Sequence, residues 1–348
     1  MSPDGPAIAV VIVTHESARE IARTLAALDP QLRADDELIV VDSASRDDTP
    51  AIARAASGRA TVLAEDENVG FARGCHVGAD ATSAPLLLFL NPDARPEAGA
   101  VEHLRRIADS HPGWGAWQAL VTMSEGREIN TSGGVVHFTG LGWAGRCGEP
   151  VDAAPAEPVE VGFASGAAFT VRRDAWRSSG GFAAEYFMYG EDLDLSLRLR
   201  LAGWGVGVEP RARVEHAYAF TKGDYKWFLL ERNRWWTLLG TYPTPLLALL
   251  APALIASELA LLVIAAGGGW LGEKLRADAS VLRSLRPIRA RRAEIQGNGT
   301  IGADAFAAAL GHALDSPFLG RLGRWRLLRA AMGLYWRAVR AAVAQRAV

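Results

Sequence analysis

The chain has 348 residues, 49% of them hydrophobic and 22% charged, so it can bury a sizeable core and is not a disordered chain. Its net charge is only −2, but residues 267–348 carry 14 Lys/Arg against 5 Asp/Glu, which leaves −11 on residues 1–266. The basic C-terminal part indicates an anionic partner. Its leucine and aromatic content favours a membrane over nucleic acid.

The cysteines and the N-terminus bear on the cellular compartment. Cys75 and Cys147 are too few for a disulfide framework and lie in no metal-type cluster. The apolar run at 8–13 has no basic segment before it and no room for a cleavage site. We therefore expect no signal peptide and a protein that stays on the cytosolic side.

The first 113 residues alternate apolar, β-branched runs with segments of helical spacing. We predict strands at 8–13, 37–41, 61–64 and 86–90, and helices at 19–28, 49–56, 71–80 and 97–109. This alternation predicts an α/β fold, in which helices cover both faces of a mostly parallel, Rossmann-like sheet. Ligands of such sheets bind at the carboxyl ends of the strands, where Thr14, Asp42 and Asp93 lie.

The second part of the chain loses this rhythm. Residues 114–158 are rich in glycine and predict mixed sheet and loops. A strand is expected at 162–171 and a helix at 193–202, whose leucines recur on one face. We expect an α/β domain at 1–240, with halves 1–113 and 114–240, and then a helical region at 241–348.

The segment Asn91-Pro92-Asp93 follows the strand predicted at 86–90. A carboxylate at the ligand edge of the sheet can hold Mg²⁺ or Mn²⁺ together with the phosphates of a substrate. All three residues also favour turns, so the segment taken alone favours a turn that binds nothing.

A second acidic cluster begins the helix predicted at 193–202. Glu191 and Asp192 lie where negative charge stabilises a helix N-terminus, so both could be simple caps. Alternatively, one of them is a general base that takes a proton from a hydroxyl. We favour Asp192, because Asp194 lies next to the buried face and is better placed for a local contact. His216 alone is more often a core or surface histidine than a metal ligand.

Taken in chain order, these segments resemble the bacterial family-2 glycosyltransferases of the GT-A fold, and in particular their rhamnosyltransferase-like group. No single segment is specific, whereas the ordered set, which covers about residues 8–240, is. The segments are Val10-Val11-Ile12-Val13-Thr14, Val40-Val41-Asp42-Ser43, Asn68-Val69-Gly70-Phe71-Ala72, Asn91-Pro92-Asp93-Ala94, Ser165-Gly166-Ala167, Gly180-Gly181-Phe182, Tyr189-Gly190-Glu191-Asp192-Leu193-Asp194-Leu195 and Val214-Glu215-His216.

The resemblance implies a metal-dependent, inverting transfer of a sugar from a nucleotide diphosphate to an acceptor hydroxyl. The nucleotide-binding residues would be Thr14, Glu16, Asp42, Gly70 and Arg73. The residues at the donor sugar would be Asn91, Gly166 and Ala167. Asp93 and His216 would ligate a divalent cation, Mg²⁺ or Mn²⁺. Asp192 would be the catalytic base, and Glu191 would orient it or the acceptor.

Two positions depart from the family pattern. Asn91 stands where the usual Asp-x-Asp has its first carboxylate, which leaves one carboxylate for the metal. His76 stands where the family often has asparagine, and we assign it no role.

The resemblance also implies substrates. Rhamnose from dTDP-rhamnose is the first donor expected, and galactofuranose or another hexose from a UDP donor is the alternative. The expected acceptor is a glycan or a lipid-linked glycan of cell-wall or surface polysaccharide synthesis, used at the cytosolic membrane face.

Other classes of nucleotide-binding protein require a different sequence in the turn after the first strand. An oxidoreductase would need G-x-G-x-x-G there, and a nucleotidyltransferase a glycine-rich phosphate loop, whereas the chain has Thr14-His15-Glu16-Ser17. A membrane-associated scaffold that binds a nucleotide sugar without catalysis is the alternative from another class, and it would not need the set Asp93, Asp192 and His216.

Residues 246–266 are almost wholly apolar and, at about 1.5 Å per residue, long enough to cross a bilayer core of about 30 Å. Glu258 inside the segment and basic residues on both sides argue against a single span. We expect a helix or hairpin embedded from the cytosolic face; a single span and a buried core helix are the alternatives.

The last segment predicts an amphipathic helix. Its apolar face would comprise Trp325, Leu328, Met332, Tyr335, Val339 and Val343, beside Arg326, Arg329, Arg337 and Arg340. A helix that lies in a membrane interface and a helix that docks on the protein both fit this pattern.

Overall fold

The computed structural model describes residues 5–216, 223–315 and 325–345. The strands are β1 Ile8–Thr14, β2 Glu37–Ser43, β3 Thr61–Glu65, β4 Leu86–Leu90, β5 Ala94–Pro96, β6 Trp114–Met123, β7 Glu128–Thr131, β8 Gly134–Val136, β9 Gly142–Ala144, β10 Val159–Glu160, β11 Ala168–Arg172 and β12 Gly205–His216. The helices are α1 Ile21–Leu28, α2 Thr49–Ala56, α3 Gly70–Asp80, α4 Ala100–Ser110, α5 Arg173–Ser178, α6 Glu191–Leu201, α7 Tyr225–Thr241, α8 Thr244–Gly267, α9 Leu271–Arg283, α10 Leu285–Gly297, α11 Ala303–Ala308 and α12 Arg326–Gln345.

Most strands join one mixed sheet, whose order is β10-β12-β6-β11-β4-β1-β2-β3, with β5 beside β12 and β7 beside β6. The neighbours among β1 to β4 pair in parallel. β11 runs antiparallel to both β4 and β6, while β12 runs parallel to β6. The expected α/β fold with a mostly parallel sheet is therefore confirmed.

Helices cover both faces of this sheet, because alternate residues of a strand point to opposite sides. Ile8, Val10 and Ile12 of β1 belong to a core cluster that includes residues of α1, α2 and α4. Ala9, Val11 and Val13 belong to another that includes residues of α3, α5 and α6. Strands buried on both sides explain the continuous apolar runs in the sequence.

Two sequence-based boundaries differ from the structure by three residues or more. The strand expected at 162–171 begins only at Ala168, because the backbone N–H groups of Ser165 and Gly166 are bound by side chains of Gln118 and Asp192 instead of a neighbouring strand. The helix expected at 97–109 begins at Ala100, after Gly99 with a φ of 84°.

β12 was not predicted, because Pro210 interrupts its alternating pattern. The strand absorbs this interruption in an irregularity between Glu209 and Arg213, where its register with β6 shifts.

Two compact units divide the chain. The first contains residues 1–134, 144–199 and 204–218, and the second contains residues 135–143, 200–203 and 219–348. The domain boundaries expected from the sequence stay a prediction.

In the second unit, α8 is long and apolar enough to cross a membrane, and among the described residues no other helix is. Only 11% of its most apolar 18 residues are buried, so the alternative of a buried core helix is wrong. Glu258, the one charge in this helix, binds Arg234 at 2.7 Å and also the fully buried Lys274. The unfavourable charge is thus paired with residues of α7 and α9.

The C-terminal helix α12 forms where the amphipathic pattern predicts it. Trp336 stacks on Phe138 with ring centroids 5.1 Å apart, and the hydroxyl of Tyr335 donates to the carbonyl of Leu249 at 2.6 Å. Val339 and Val343 of the predicted apolar face are buried. The structure therefore agrees with a docked helix, and not with one whose apolar face lies free for a membrane interface, although Trp325 is exposed.

In the first unit, Arg105 of α4 and Asp36 form a fully buried ion pair whose shortest distance is 2.6 Å. Asp36 also accepts the backbone N–H of Ile8, where β1 begins, and that of Arg33. The pair therefore holds α4 to the start of the central strand.

We predict that Arg105→Met lowers the free energy of unfolding by about 3–5 kcal/mol, because it leaves a buried carboxylate without its cation. The matched control is Arg127→Met, which removes an exposed pair with Glu125 and should cost less than about 1 kcal/mol. Urea denaturation of both variants measures the difference. Equal costs would show that the buried pair contributes no more than an exposed one.

Candidate active site

The parallel register of β1 and β2 places Thr14 opposite Asp42. The buried hydroxyl of Thr14 donates to Asp42 Oδ1 at 2.9 Å, and the hydroxyl and backbone N–H of Ser45 also donate to this carboxylate, at 2.7 and 3.0 Å. The structure thus brings two predicted nucleotide-binding residues together. Thr14 orients Asp42, and Ser45, to which the sequence assigned no role, completes the cluster.

Glu16 lies in the neighbouring loop with a φ of 52°. Its carboxylate accepts the backbone N–H of Arg46 at 2.8 Å, and its own N–H donates to Ser45 Oγ at 2.9 Å. Arg73 is exposed on α3. Gly70, also predicted to bind the nucleotide, is buried against Phe187. The nucleotide-binding roles of all these residues stay predictions.

Asp93 and His216 are 123 positions apart in sequence and meet because β5 pairs with the end of β12, with His216 opposite Ala94. His216 Nε2 lies 3.1 Å from Asp93 Oδ1 and 3.5 Å from Asn91 Nδ2. The backbone carbonyl of His216 accepts a hydrogen bond from Asn130 at 3.1 Å, which holds the end of the strand in place. The histidine is buried, whereas the carboxylate of Asp93 is one-third exposed.

These two side chains fit a divalent cation that is shared with a substrate. The 3.1 Å between His216 Nε2 and Asp93 Oδ1 is a hydrogen-bond distance, and it is also close to the roughly 3 Å between adjacent ligands of an octahedral cation at about 2.1 Å. The described residues contain no group of three or more His, Cys, Asp or Glu that could hold a metal. Mg²⁺ commonly needs only one or two carboxylates, because waters and substrate phosphates complete its shell.

Two hydrogen bonds connect the segment that contains Asn91 and Asp93 to the acidic cluster at the start of α6. The backbone N–H of Asn91 donates to the carbonyl of Ala167 at 3.1 Å. The N–H of Gly166, which precedes Ala167 in the chain, donates to Asp192 Oδ2 at 2.9 Å. The predicted donor-sugar residues therefore lie between the Asp93–His216 pair and Asp192.

The three carboxylates at the start of α6 have different surroundings. Asp194 is buried and receives hydrogen bonds from Tyr186 at 3.0 Å and from Arg198 at 2.8 Å, which is the local contact expected for it. Asp192 receives the N–H groups of Gly166 and Leu193 and keeps part of its surface exposed. Its position suits a base that must reach a substrate.

Glu191 is only 5% exposed, and its Oε2 atom finds no hydrogen-bond partner among the described residues. Burial, and then the neighbouring charges of Asp192 and Asp194, raise the pKa of Glu191 well above its usual range. Burial also raises the pKa of Asp192, while its two N–H donors oppose that shift. A carboxylate with a raised pKa is a stronger base once it is ionised.

Sequence reasoning missed two residues that support this site. The side-chain oxygen of Gln118, on β6, accepts the N–H of Ser165 at 2.8 Å and so fixes the turn before Gly166. Phe187 lies against the turn that begins α3. A glutamine inside an apolar strand was a detectable signal, whereas nothing in the sequence separates Phe187 from an ordinary core aromatic.

The chain matches the model of "Glycosyl transferase family group 2" over residues 86–272, more than half its length, and that of "Glycosyl transferase family 2" over residues 9–139. The fold and the family models thus define a glycosyltransferase, and the chain belongs to the family-2 glycosyltransferases. It is similar to the N-acetylglucosaminyl-diphospho-decaprenol L-rhamnosyltransferase of Mycobacterium tuberculosis, with 29% identity over 239 residues, which cover 62% of this chain and 77% of that protein.

Solved structures share the fold. A mannosyltransferase from Pyrobaculum calidifontis, in complex with GDP-Man and Mn²⁺, has a TM-score of 0.51 and 19% identity, covering 87% of this chain and 86% of its own. GalNAc-T7 with UDP, GalNAc and Mn²⁺ has a TM-score of 0.56 and 14% identity over 71% of this chain. The match spans only 51% of the GalNAc-T7 chain. These likenesses agree with the GT-A fold that the sequence motifs implied.

We predict that the turnover rate falls on acidification at a higher pH than an ordinary aspartate, with a pKa of about 3.9, would give. Asp192 works as a base only when ionised, and its raised pKa means that it takes up a proton earlier as the pH falls. The measurement is kcat against pH for the wild type, Asp192→Asn and Glu191→Gln.

Asp192→Asn should lower kcat by about 100-fold or more and abolish this acidic limb, with nearly unchanged donor affinity. Glu191→Gln should keep the limb and lose less activity. Normal turnover in Asp192→Asn together with an inactive Glu191→Gln would show that the two roles are reversed.

Proposed function

We propose that the protein is an inverting glycosyltransferase that moves L-rhamnose from a dTDP-linked donor to a hydroxyl of a lipid-linked glycan. The observation that carries this proposal is the series of contacts from Asp93 through His216, Asn91 and Ala167 to the Gly166–Asp192 hydrogen bond. This series supports the proposal because it connects the residues proposed to hold the diphosphate with the residue proposed as the base.

Asp192 takes the proton of the acceptor hydroxyl while the oxygen of that hydroxyl attacks the anomeric carbon of the donor. The bond from that carbon to the diphosphate breaks in the same displacement, so the configuration at the carbon is inverted. The N–H groups of Gly166 and Leu193 hold the carboxylate of Asp192 in one orientation during the transfer.

The leaving group is a nucleoside diphosphate, and its negative charge grows as the bond to the sugar breaks. A divalent cation held by Asp93 and His216 would supply the positive charge that offsets this growth. Asp42, fixed by Thr14 and Ser45, would lie at the nucleoside end, next to the carboxyl end of β1.

The choice of rhamnose and of a lipid-linked acceptor rests on the relative from Mycobacterium tuberculosis, whose name gives L-rhamnosyl transfer to N-acetylglucosaminyl-diphospho-decaprenol. A UDP-linked hexose or galactofuranose is the alternative donor. Incubation with dTDP-rhamnose and with UDP-sugars, in the presence of Mg²⁺ or Mn²⁺ and a lipid-linked acceptor, tests the choice. Binding of a donor without any transfer would favour a non-catalytic scaffold.

We predict that Asp93→Ala abolishes transfer, because the variant removes the one carboxylate of Asn91-Pro92-Asp93. Binding of the nucleotide diphosphate, measured by calorimetry, should then no longer depend on the divalent cation. The control is Asp80→Ala at the exposed end of α3, which should behave as the wild type. Full activity of Asp93→Ala, or of the wild type in excess chelator, would contradict the metal site.

The proposed place of action is the cytosolic face of the membrane. Three large apolar side chains of α8 recur every four residues and are exposed: Ile255 by 63%, Leu259 by 61% and Val263 by 73%. This spacing puts them on one side of the helix. Glu258, the charged residue of this helix, is neutralised by ion pairs with Arg234 and Lys274. This exposed apolar row would enter the bilayer, and the basic residues that follow α8 would face its anionic surface. Together they favour a helix embedded in one face of the membrane over an isolated span.

We predict that the full-length chain co-sediments with vesicles that contain phosphatidylglycerol, and that Leu259→Asp weakens this binding by more than about tenfold, since a charge in the bilayer is costly. Val159→Asp, which changes an exposed apolar residue of β10, is the control and should bind normally. A wild-type chain that ignores such vesicles, or equal losses in both variants, would contradict the membrane contact.

A further inference from the structure

An unusual turn immediately precedes the acidic cluster. Phe187 has a φ of 64° and a ψ of −62°, and the N–H of Met188 donates to the carbonyl of Tyr186 at 2.7 Å. This is a γ-turn with positive φ, a rare and strained form for a residue that carries a side chain. Tyr189 and Gly190 also have positive φ, and α6 begins at the next residue.

Contacts on either side hold the γ-turn in place. Before it, the buried hydroxyl of Tyr186 donates to Asp194 of α6 at 3.0 Å. Beside it, the N–H of Ala72, in the first turn of α3, donates to the carbonyl of Phe187 at 3.1 Å. A strained backbone persists only where its surroundings determine it, and these two bonds provide that.

Gly70 is the residue that admits the turn. It has a φ of 76°, and a methyl group added there would lie 2.4 Å from a ring carbon of Phe187 and 2.7 Å from its carbonyl oxygen. No side chain fits at this position unless Phe187 moves. The close approach, together with the positive φ, gives a physical reason for glycine that does not involve a nucleotide.

The same turn of α3 is bonded to the end of β2. Ser43, next to Asp42, donates from its hydroxyl to Asn68 Oδ1 at 3.1 Å and accepts the N–H of Val69 at 2.9 Å. Asn68 Oδ1 also accepts the N–H of Gly70 at 3.0 Å. Hydrogen bonds therefore run from the predicted nucleoside end of the site to the turn on which Phe187 rests.

We propose that Gly70 and Phe187 are positioning residues, which set the direction of Asp192 by fixing the γ-turn before α6 against the first turn of α3. This inference rests on the proposed role of Asp192 as the base. In this proposal Gly70 acts on the site through Phe187 and the γ-turn, and not by touching the nucleotide as expected from the sequence. A small displacement of a catalytic group lowers the rate strongly while it leaves donor binding largely intact.

The first test compares Gly70→Ala with Gly148→Ala. Gly148 has a φ of 82° and nothing within 4 Å of an added methyl group, so it controls for backbone strain alone. Gly70→Ala should lower kcat by about tenfold or more and change the Kd for the nucleotide diphosphate by less than about twofold. Gly148→Ala should change neither. A loss of nucleotide affinity in Gly70→Ala, or an unchanged kcat, would overturn the proposal.

Hydrogen exchange provides a readout that does not need transfer. In Gly70→Ala the amides of residues 186–192 should exchange faster than in the wild type and in Gly148→Ala, while those of β1 and β4 stay protected. Unchanged exchange at 186–192 overturns the inference by itself. If the wild-type chain transfers no sugar, the proposed function fails, and the exchange comparison still decides whether Gly70 holds the turn.

Phe187→Ala covers the case in which Gly70→Ala does not fold, because it removes the ring without adding bulk. It should also lower kcat at nearly constant nucleotide affinity. In the double variant the two losses should not add, since both act on one contact. Additive losses would mean that the residues act separately and would overturn the proposal.

Discussion

The antiparallel pairing of β11 with β4 is the interaction on which the site depends. Leu90 lies opposite Ala168, and the N–H of Asn91 extends the ladder by one bond to the carbonyl of Ala167. β4 also pairs in parallel with β1, so one strand connects the predicted nucleotide edge to the second half of the sheet. Without this ladder, neither Gly166 nor the carboxylate bound to it would face the residues after β4.

Local pattern was sufficient for the strands that are buried on both faces of the sheet and for the short helix α2. β4 and α2 match their predicted bounds, and β1 and β2 differ only at their C-terminal ends, because apolar runs between polar turns leave few other assignments. β12 was missed because Pro210 breaks its alternation, and only pairing with β6 and β5 makes it a strand. Pairing between distant segments is not encoded in local periodicity.

The site was predictable in its residue types and less so in its contacts. The motif order placed Asp93, His216 and Asp192 in one candidate site, but the 3.1 Å approach of His216 to Asp93 depends on the β5–β12 register. Resemblance alone also suggested that Thr14 and Gly70 would touch the nucleotide. That role stays a prediction, and the structure adds that Thr14 bonds to Asp42 and Gly70 packs on Phe187, contacts that the identity and order of a motif do not specify.

The acidic start of α6 shows how surroundings assign different tasks to like groups. Three carboxylates within four residues cannot all ionise cheaply in a buried place. Asp194 has Arg198 beside it as a counter-ion, whereas Glu191 has no cationic partner among the described residues, and burial raises its pKa well above its usual range. Asp192, held by two N–H groups and partly exposed, has the surroundings that the proposed base requires.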